Sequence, residues 1–227
     1  MELNFIGRGG AINFSEGGNC AFIKQGGGLI LLDCCEGCAE KLVRLNVLNE
    51  SVKQIYLVIT HTHADHVAGL GTLIWYCNFV LNVKPVFISN SESFTHSLYT
   101  LLDVFGVDRK YYEFTQDKTI LNKTIVAIKT THTEKLECYS FVISDENEKV
   151  FYSGDTNEIE LIKKMAEDDS ITKIYCEVST LPIDVHIFYD DLKKLPNKEK
   201  FYLMHFSCDN DLEIIKKDNI FKVVECV

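Results

Sequence analysis

The segment from Ile55 to Gly71 constrains the fold of this chain more than any other. It opens with a short apolar run, Ile55–Thr60, whose β-branched residues predict a strand buried on both faces. Beyond residue 66, apolar residues recur at helical spacing, which predicts a helix. Between the two lies His-Thr-His-Ala-Asp-His. Four possible metal ligands therefore occupy one turn at the carboxyl end of a strand, where open α/β sheets bind their ligands.

Side-chain direction divides these four residues into two pairs. His61 and His63 point the same way if the turn stays extended, because side chains alternate along an extended chain. Asp65 and His66 stand where the helix begins and can face a neighbouring point. Burying such groups without a cation would cost several kcal/mol in unpaired polar groups. The turn therefore predicts a metal site that can serve two ions.

The length and composition of the chain predict its class. Its 227 residues suit one sizeable domain, and we expect residues 1–227 to form it. An apolar content of 46% with 25% charged residues is typical of globular proteins. We find no leader peptide and no apolar run of membrane-spanning length, so we expect a cytoplasmic protein without a membrane partner. Nine cysteines, an odd number, favour reduced thiols.

The net charge of −10 bears on the partners of the protein. Long nucleic acids bind largely through Lys and Arg contacts to their phosphates, so an acidic surface disfavours them. A small anion can still bind at a site that carries the charge of a metal ion. We therefore expect no large nucleic acid partner.

Polar residues also follow other predicted strands. His132 ends a strand predicted over residues 120–130, and Asp155 lies in a second strand-to-helix turn. His205 follows a short strand near the end of the chain. These three residues are candidates to complete the metal site.

Three local patterns predict helices. Apolar spacing predicts one helix over residues 67–81, with aromatic side chains in the core or in a dimer interface: Trp75, Tyr76 and Phe79. A helix after Asp33 would carry three leucines on one face: Leu42, Leu45 and Leu48. Asn157 with Glu160 forms a capping-box pattern at the start of a helix over residues 158–166.

The His-Thr-His-Ala-Asp-His sequence resembles the HxHxDH signature of the metallo-β-lactamase fold. The resemblance implies an α/β fold, an αββα sandwich of two mixed sheets with helices outside. It further implies that one metal is held by His61, His63 and His132, and the other by Asp65, His66 and His205, with Asp155 bridging. Nitrogen and carboxylate ligands favour two zinc ions, with manganese or iron left open by ligand type alone.

Two shorter segments resemble the ribonuclease Z branch of this family. Residues 33–38 resemble its DCGEG segment, with Cys34, Cys35 and Cys38 at or beside variable positions, so we expect neither a redox nor a metal role for the CxxC pair. Asp33 is expected to be structural or to support a ligand. Residues 176–179 resemble its HEAT segment, with Cys176 in place of the histidine.

That second segment implies a catalytic pair. His186 resembles the second catalytic histidine of the branch, and Glu177 would orient it. Phosphodiester hydrolysis expels an alkoxide, which a positioned imidazolium can protonate. A carboxylate behind the histidine sets its tautomer and favours its charged form. With the metal ligand Asp65, these two residues make up the predicted catalytic set.

The chain departs from ribonuclease Z at one point. That enzyme carries a long arm that grips tRNA between the positions matching His132 and Asp155, whereas a tight hairpin is predicted here. With the acidic charge, this favours a small phosphodiester. A compact, armless chain of this kind resembles the dimeric anti-Pycsar phosphodiesterases of bacteriophages, which destroy cyclic mononucleotide signals. The resemblance implies a small-molecule cyclic nucleotide substrate and a homodimer, and leaves base specificity and phage origin open.

Three rival functions stay open at this point. The first is a ribonuclease Z-like RNA endonuclease or 3′ exonuclease, which a basic groove would favour: Lys193, Lys194, Lys198 and Lys200. The second is a thioester hydrolase like glyoxalase II, which shares the full ligand set. The third is a nucleotide-binding sponge that sequesters a signal without hydrolysis. An antibiotic-hydrolysing activity is disfavoured, because that branch has cysteine where this chain has Asp155.

Overall fold

The computed structural model describes every residue from Met1 to Val227 and contains two β-sheets. The six-stranded sheet runs in chain order through β1 Asn4–Gly7, β2 Cys20–Gln25, β3 Gly28–Leu32, β4 Gln54–Val58, β5 Val86–Ile88 and β6 Glu113–Thr115. The seven-stranded sheet contains β7 Thr119–Ile120, β8 Lys123–Thr130, β9 Cys138–Ser144, β10 Lys149–Tyr152, β11 Lys173–Glu177, β12 Phe201–Met204 and β13 Lys222–Val223.

Both sheets are mixed. Strands β1, β2 and β3 pair antiparallel, and β3 to β6 pair parallel. In the other sheet β7 to β10 pair antiparallel, and β10 to β13 pair parallel. Parallel strands need crossover connections, and the helices lie in them. The carboxyl ends of the parallel strands therefore meet along one edge of the sandwich.

Helices cover the outer faces of the two sheets. They are α1 Cys38–Arg44, α2 Ala64–Val67, α3 Leu70–Phe79, α4 Glu92–Val104, α5 Ile159–Glu167, α6 Tyr189–Leu192 and α7 Asp209–Asp218. A large apolar core joins the two sheets to the helices beside the first sheet, and a smaller one lies between the second sheet and α5, α6 and α7. The predicted αββα sandwich is confirmed. None of these helices is both long and apolar enough to span a bilayer.

The predicted helix over residues 67–81 is wrong in its extent, because two helices, α2 and α3, replace it. They meet at Gly69, whose N–H donates to the carbonyl of Cys34 at 2.9 Å instead of continuing the helical ladder. An added Cβ at Gly69 would overlap the Cys35 carbonyl oxygen, so this close approach needs glycine. On α3, Trp75 and Phe79 remain 41% and 67% exposed and lie outside the core.

Three further local predictions are corrected by the structure. Residues 120–130 form a hairpin between β7 and β8, because Leu121 and Asn122 both adopt positive φ and reverse the chain. Asparagine is common at positive φ, whereas leucine is rare there. Only one of the two turn residues therefore indicates a turn in the sequence. Leu45 ends α1 and stays 41% exposed. Helix α5 begins after Glu158 without a side-chain cap, so Asn157 and Glu160 form no capping box.

Candidate active site

The predicted ligands converge at the edge of the sandwich where parallel strands end. The turn after β4 carries His61, His63, Asp65 and His66, and segments that follow β8, β10 and β12 add His132, Asp155 and His205. Five of these seven residues lie in segments just beyond a strand, and Asp65 and His66 lie in the short helix α2 that follows β4. All seven predicted metal ligands lie in one site.

The first cluster contains three histidines and one carboxylate: His61, His63, His132 and Asp155. One ligand atom from each lies within 4.8 Å of the others. His63 Nδ1 is 2.9 Å from His61 Nε2 and 3.3 Å from His132 Nε2. Separations of this size are compatible with a shared cation bound at roughly 2.0–2.2 Å by each ligand.

The second cluster contains Asp65, His66 and His205. Asp65 Oδ2 lies 3.4 Å from the Nε2 atoms of both histidines. Asp155 also reaches this cluster, because its Oδ1 is 3.4 Å from His66 Nε2 and its Oδ2 is 3.2 Å from His205 Nε2. Asp155 therefore stands between the clusters, where a carboxylate can contact two ions.

Groups behind the ligands direct the Nε2 atoms of three histidines into the site. His61 Nδ1 donates to Thr60 Oγ1 at 3.0 Å, and His132 Nδ1 donates to the Val185 carbonyl at 2.6 Å. His66 Nδ1 donates to Asp33 Oδ2 at 2.8 Å. Such outer partners fix the tautomer of a metal-binding histidine. The contact agrees with the supporting position expected for Asp33, whereas sequence patterns did not identify Thr60 and Val185.

The donor atoms fit divalent cations. His66 Nε2 and Asp155 Oδ1 are buried and face each other, yet neither has a hydrogen-bond partner. An unsatisfied buried polar group costs roughly 1–3 kcal/mol, and a cation would satisfy both. Burial also lowers the pKa of His61 and of His132, so that their nitrogens are available as neutral ligands.

The predicted catalytic pair is also brought together. His186 Nδ1 donates to Glu177 Oε2 at 2.6 Å, and Glu177 is fully buried. Glu177 Oε1 accepts a hydrogen bond of 2.6 Å from the Thr156 N–H. The imidazole ring of His186 lies 4.9 Å from that of His132 and 5.4 Å from that of His205, measured between centroids. The pair therefore adjoins both ligand clusters.

Burial sets the electrostatics of this pair. It raises the pKa of the Glu177 carboxyl well above its usual value and lowers the pKa of the His186 imidazole. Both directions disfavour an isolated charge on either residue. The short hydrogen bond between Nδ1 and Oε2 offsets this cost, and it leaves the Nε2 atom of the imidazole outside the contact between the two residues.

Comparison with known proteins places the chain in a family. The family model described as Anti-Pycsar protein Apyc1 matches residues 1–226. The chain belongs to the Anti-Pycsar protein Apyc1 family. The relative of that name from Paenibacillus sp. (strain J14) is 30% identical over 228 residues, covering 92% of this chain and 90% of the relative. The relative of that name from Bacillus phage 010DV004 is 27% identical and covers 98% of this chain and 95% of the relative.

A solved structure supports the fold assignment. The metallo-β-lactamase fold protein YhfI from Bacillus subtilis superposes with a TM-score of 0.77 at 18% identity, covering 99% of this chain and 95% of YhfI. Membership of the Apyc1 family and the clustered histidines and aspartates support a metal-dependent hydrolase.

In this Apyc1 family member, Asn157 links three segments of the site. Its N–H donates to the Thr131 carbonyl at 2.9 Å, and its Oδ1 accepts from Thr131 Oγ1 at 2.7 Å. Its Nδ2 donates to the Asp184 carbonyl at 2.8 Å. Thr131 precedes His132 and Asp184 lies in the loop that carries His186. A residue interpreted from the sequence as a helix cap therefore ties the catalytic loop to the ligand segments.

The CxxC pair lies in the core of this Apyc1 family member. All nine cysteines have free thiols, and Cys34, Cys35 and Cys38 are buried. Cys38 Sγ is 3.6 Å from Cys20 Sγ, and burial raises the pKa of Cys34. Buried thiols with a raised pKa are poor nucleophiles.

Proposed function

We propose that this protein is a two-metal phosphodiesterase that hydrolyses 3′,5′-cyclic mononucleotides to nucleoside monophosphates and counters cyclic-nucleotide immunity on behalf of a phage. The observation that carries the proposal is the 2.6 Å contact between His186 and Glu177 beside two clusters of metal-binding side chains. The match to the Apyc1 family over residues 1–226 supports it.

The first cluster would hold one ion through His61, His63 and His132, and the second would hold another through Asp65, His66 and His205, with Asp155 shared. Two divalent ions in these clusters, zinc or in its place manganese, would supply an activated water and neutralise the charge of the phosphate. Their mixed nitrogen and carboxylate donors suit zinc in particular.

The chain itself would supply the proton for the leaving group. Attack of water on phosphorus forms one P–O bond and breaks the bond to a ribose oxygen, which leaves as a strongly basic alkoxide. Because Glu177 occupies Nδ1 of His186, the Nε2 atom is free to carry a proton to that oxygen. Glu177 would stabilise the imidazolium during the transfer, and the proton lost by the attacking water would restore the pair.

Two features favour a small substrate over RNA. Only the hairpin of β9 and β10, closed at residues 145–148, separates His132 from Asp155, so no arm extends from this interval. Two of the four lysines considered for a basic groove pair with neighbouring carboxylates: Lys193 with Asp190 at 2.5 Å, and Lys194 with Asp191 at 2.7 Å. These ion pairs reduce the positive charge available to a nucleic acid backbone.

The proposal includes a homodimer in the host cytoplasm. Trp75 and Phe79 expose aromatic surface on α3, and exposed apolar patches of this kind are typical of protein contacts. The phage origin of several relatives supports the cytoplasmic location. Sedimentation velocity of the purified protein would test the dimer directly.

The decisive experiment incubates the metal-loaded protein with cyclic AMP, GMP, CMP and UMP and separates the products chromatographically. We expect catalytic turnover in the parent, its loss in His63→Ala and His186→Ala, and no change in His96→Ala, a control at an exposed histidine. No turnover of any cyclic mononucleotide would overturn the proposal. Depletion in a fixed ratio to protein without product would instead indicate a sponge. Turnover of RNA alone would indicate a nuclease, and turnover of a thioester alone would indicate a thioester hydrolase.

A further inference from the structure

A cavity of about 380 Å³ adjoins the second ligand cluster. One of its walls is the loop that connects β1 to β2, and the other includes Asp65 and the neighbouring Ala64 and Ala68. Its volume falls within the range of roughly 300–1,000 Å³ found for small-molecule sites. Because Asp65 belongs to the second ligand cluster and also lines the cavity, the cavity lies next to that cluster.

The loop between β1 and β2 is held firmly against the segment that follows His205. The Gly10 N–H and the Asn13 side-chain amide donate to the Phe206 carbonyl at 2.8 and 3.0 Å. Ser15 Oγ donates to Asn13 Oδ1 at 2.8 Å. The loop passes so close to His205 that a Cβ at Gly10 would lie 3.2 Å from its ring. The loop therefore has a defined position relative to the ligand clusters.

This anchored loop presents one aromatic ring to the cavity. Phe14 lines the cavity and is 85% exposed, although burying such a side chain would contribute roughly 1.5–3 kcal/mol. A ring whose backbone is fixed and whose faces are uncovered can stack on a flat partner with little loss of conformational entropy. Asn13 is occupied by its contacts with Phe206 and Ser15, and Lys41 Nζ donates to the Ile6 carbonyl at 3.4 Å, so Glu36 is the polar side chain of the lining that has no such contact.

We propose that this cavity binds the base of the nucleotide substrate, with Phe14 as its stacking platform. The inference rests on the proposed function, since it names the binding site for the base of the same cyclic nucleotide substrate. A second cavity of about 640 Å³ adjoins the first cluster, but its lining of His63, His132 and seven other residues offers no aromatic carbon ring. Stacking on an aromatic side chain does not depend strongly on the identity of the base, because every base has a π face. The site is therefore expected to accept purines and pyrimidines.

The test compares Phe14→Leu, which keeps an apolar side chain but removes the ring, with Phe14→Trp, which keeps a ring. The control is Val104→Ala, at an exposed apolar residue on α4 that does not line the cavity. KM and kcat are measured for the four cyclic mononucleotides and for ribose 3′,5′-cyclic phosphate, which lacks a base. We expect Phe14→Leu to raise KM by roughly 5- to 50-fold for all four nucleotides with kcat nearly unchanged. Phe14→Leu acting on the base-free substrate, and Val104→Ala on every substrate, should show little change in KM, whereas Phe14→Trp should keep KM near the parent value because it keeps a ring.

Several outcomes would overturn the inference. They are an unchanged KM in Phe14→Leu, an equal rise for the base-free substrate, or a smaller sedimenting species in Phe14→Leu, which would identify Phe14 as a subunit contact. If the parent turns over no cyclic nucleotide, the proposed function fails and the base site fails with it. If the parent turns them over and Phe14→Leu behaves like the parent, only the base site fails.

Discussion

His186 Nδ1 and Glu177 Oε2 are 2.6 Å apart, although Glu177 ends a buried strand and His186 lies in a loop. The carboxylate is fully buried, and its other oxygen is held by the Thr156 N–H. Its position is therefore set by the sheet, and that of the histidine is set by the carboxylate. This relationship converts a loop histidine into a side chain with a defined orientation toward the ligand clusters.

Replacement of Glu177 by glutamine should lower kcat for cyclic nucleotides by roughly 10²-fold, because an amide neither fixes the required tautomer of His186 nor stabilises its imidazolium. A phosphodiester with a p-nitrophenolate leaving group should lose far less, since that group departs without a proton. Steady-state kinetics on both substrates test this, with Glu160→Gln on the exposed face of α5 as control. Equal losses on the two substrates would argue against proton transfer by this pair.

Replacement of Asp33 by asparagine should weaken metal binding by roughly 10- to 100-fold, because His66 loses the carboxylate that orients its ring. Competition with a chromophoric chelator measures the affinity. Asp103→Asn, at an exposed ion pair with Arg109, serves as control and should bind metal like the parent. Unaltered affinity in Asp33→Asn would mean that His66 keeps its orientation without this contact, or is not a ligand.

Replacement of Asn157 by alanine should loosen the loop that carries His186, since two side-chain hydrogen bonds to neighbouring segments are lost. We expect kcat to fall by roughly 10-fold, about what the loss of one to two net hydrogen bonds predicts. Hydrogen exchange should be faster at the amides of this loop, such as the His186 N–H, which donates to the Ile183 carbonyl. Asn147→Ala, in the exposed turn between β9 and β10, is the control. A slower enzyme with unaltered exchange would contradict a tethering role.

Glu137 should make stability depend on pH. Its carboxylate accepts hydrogen bonds from Ser91 Oγ at 2.9 Å, Ser93 Oγ at 2.7 Å and the Tyr139 hydroxyl. Burial alone would raise the pKa of this carboxyl, but these bonds outweigh it and lower the pKa. A lowered folded-state pKa contributes stability above the unfolded value of roughly 4.3, and that contribution is lost as pH falls through the folded value.

Glu137→Gln should therefore lower the free energy of unfolding by about 1–2 kcal/mol at pH 7, with a smaller difference from the parent below about pH 4. Urea unfolding of parent and variant at each pH provides the measurement. Glu134→Gln, at an exposed neighbour, should match the parent throughout. A difference that grows toward acid pH would reverse the assigned sign.

The clustering of the candidate metal ligands could be predicted from sequence because its densest part is local. Four ligands fall within one strand-to-helix turn, and both clusters draw on that turn. His132, Asp155 and His205 each follow a strand, so the topology of a mixed sheet brings them to the same edge. Turns that depend on close backbone approach were less predictable: the helix is interrupted at Gly69, whose N–H bonds to the Cys34 carbonyl and whose backbone lies against the Cys35 carbonyl, far away in the sequence.

The strand-turn-helix frame, the ligand types and the family signature could be predicted from the sequence, since these depend on spacing and residue chemistry over short distances. The supporting contacts became visible only in the folded chain, because they join residues that are distant in sequence. Asn157 reads as a helix cap but bonds to the Asp184 carbonyl, and Val185 contributes a backbone oxygen that no side-chain pattern reveals. Phe14 likewise reads as an ordinary loop residue. Its place beside Asp65 arises because hydrogen bonds to the Phe206 carbonyl join segments from opposite ends of the chain.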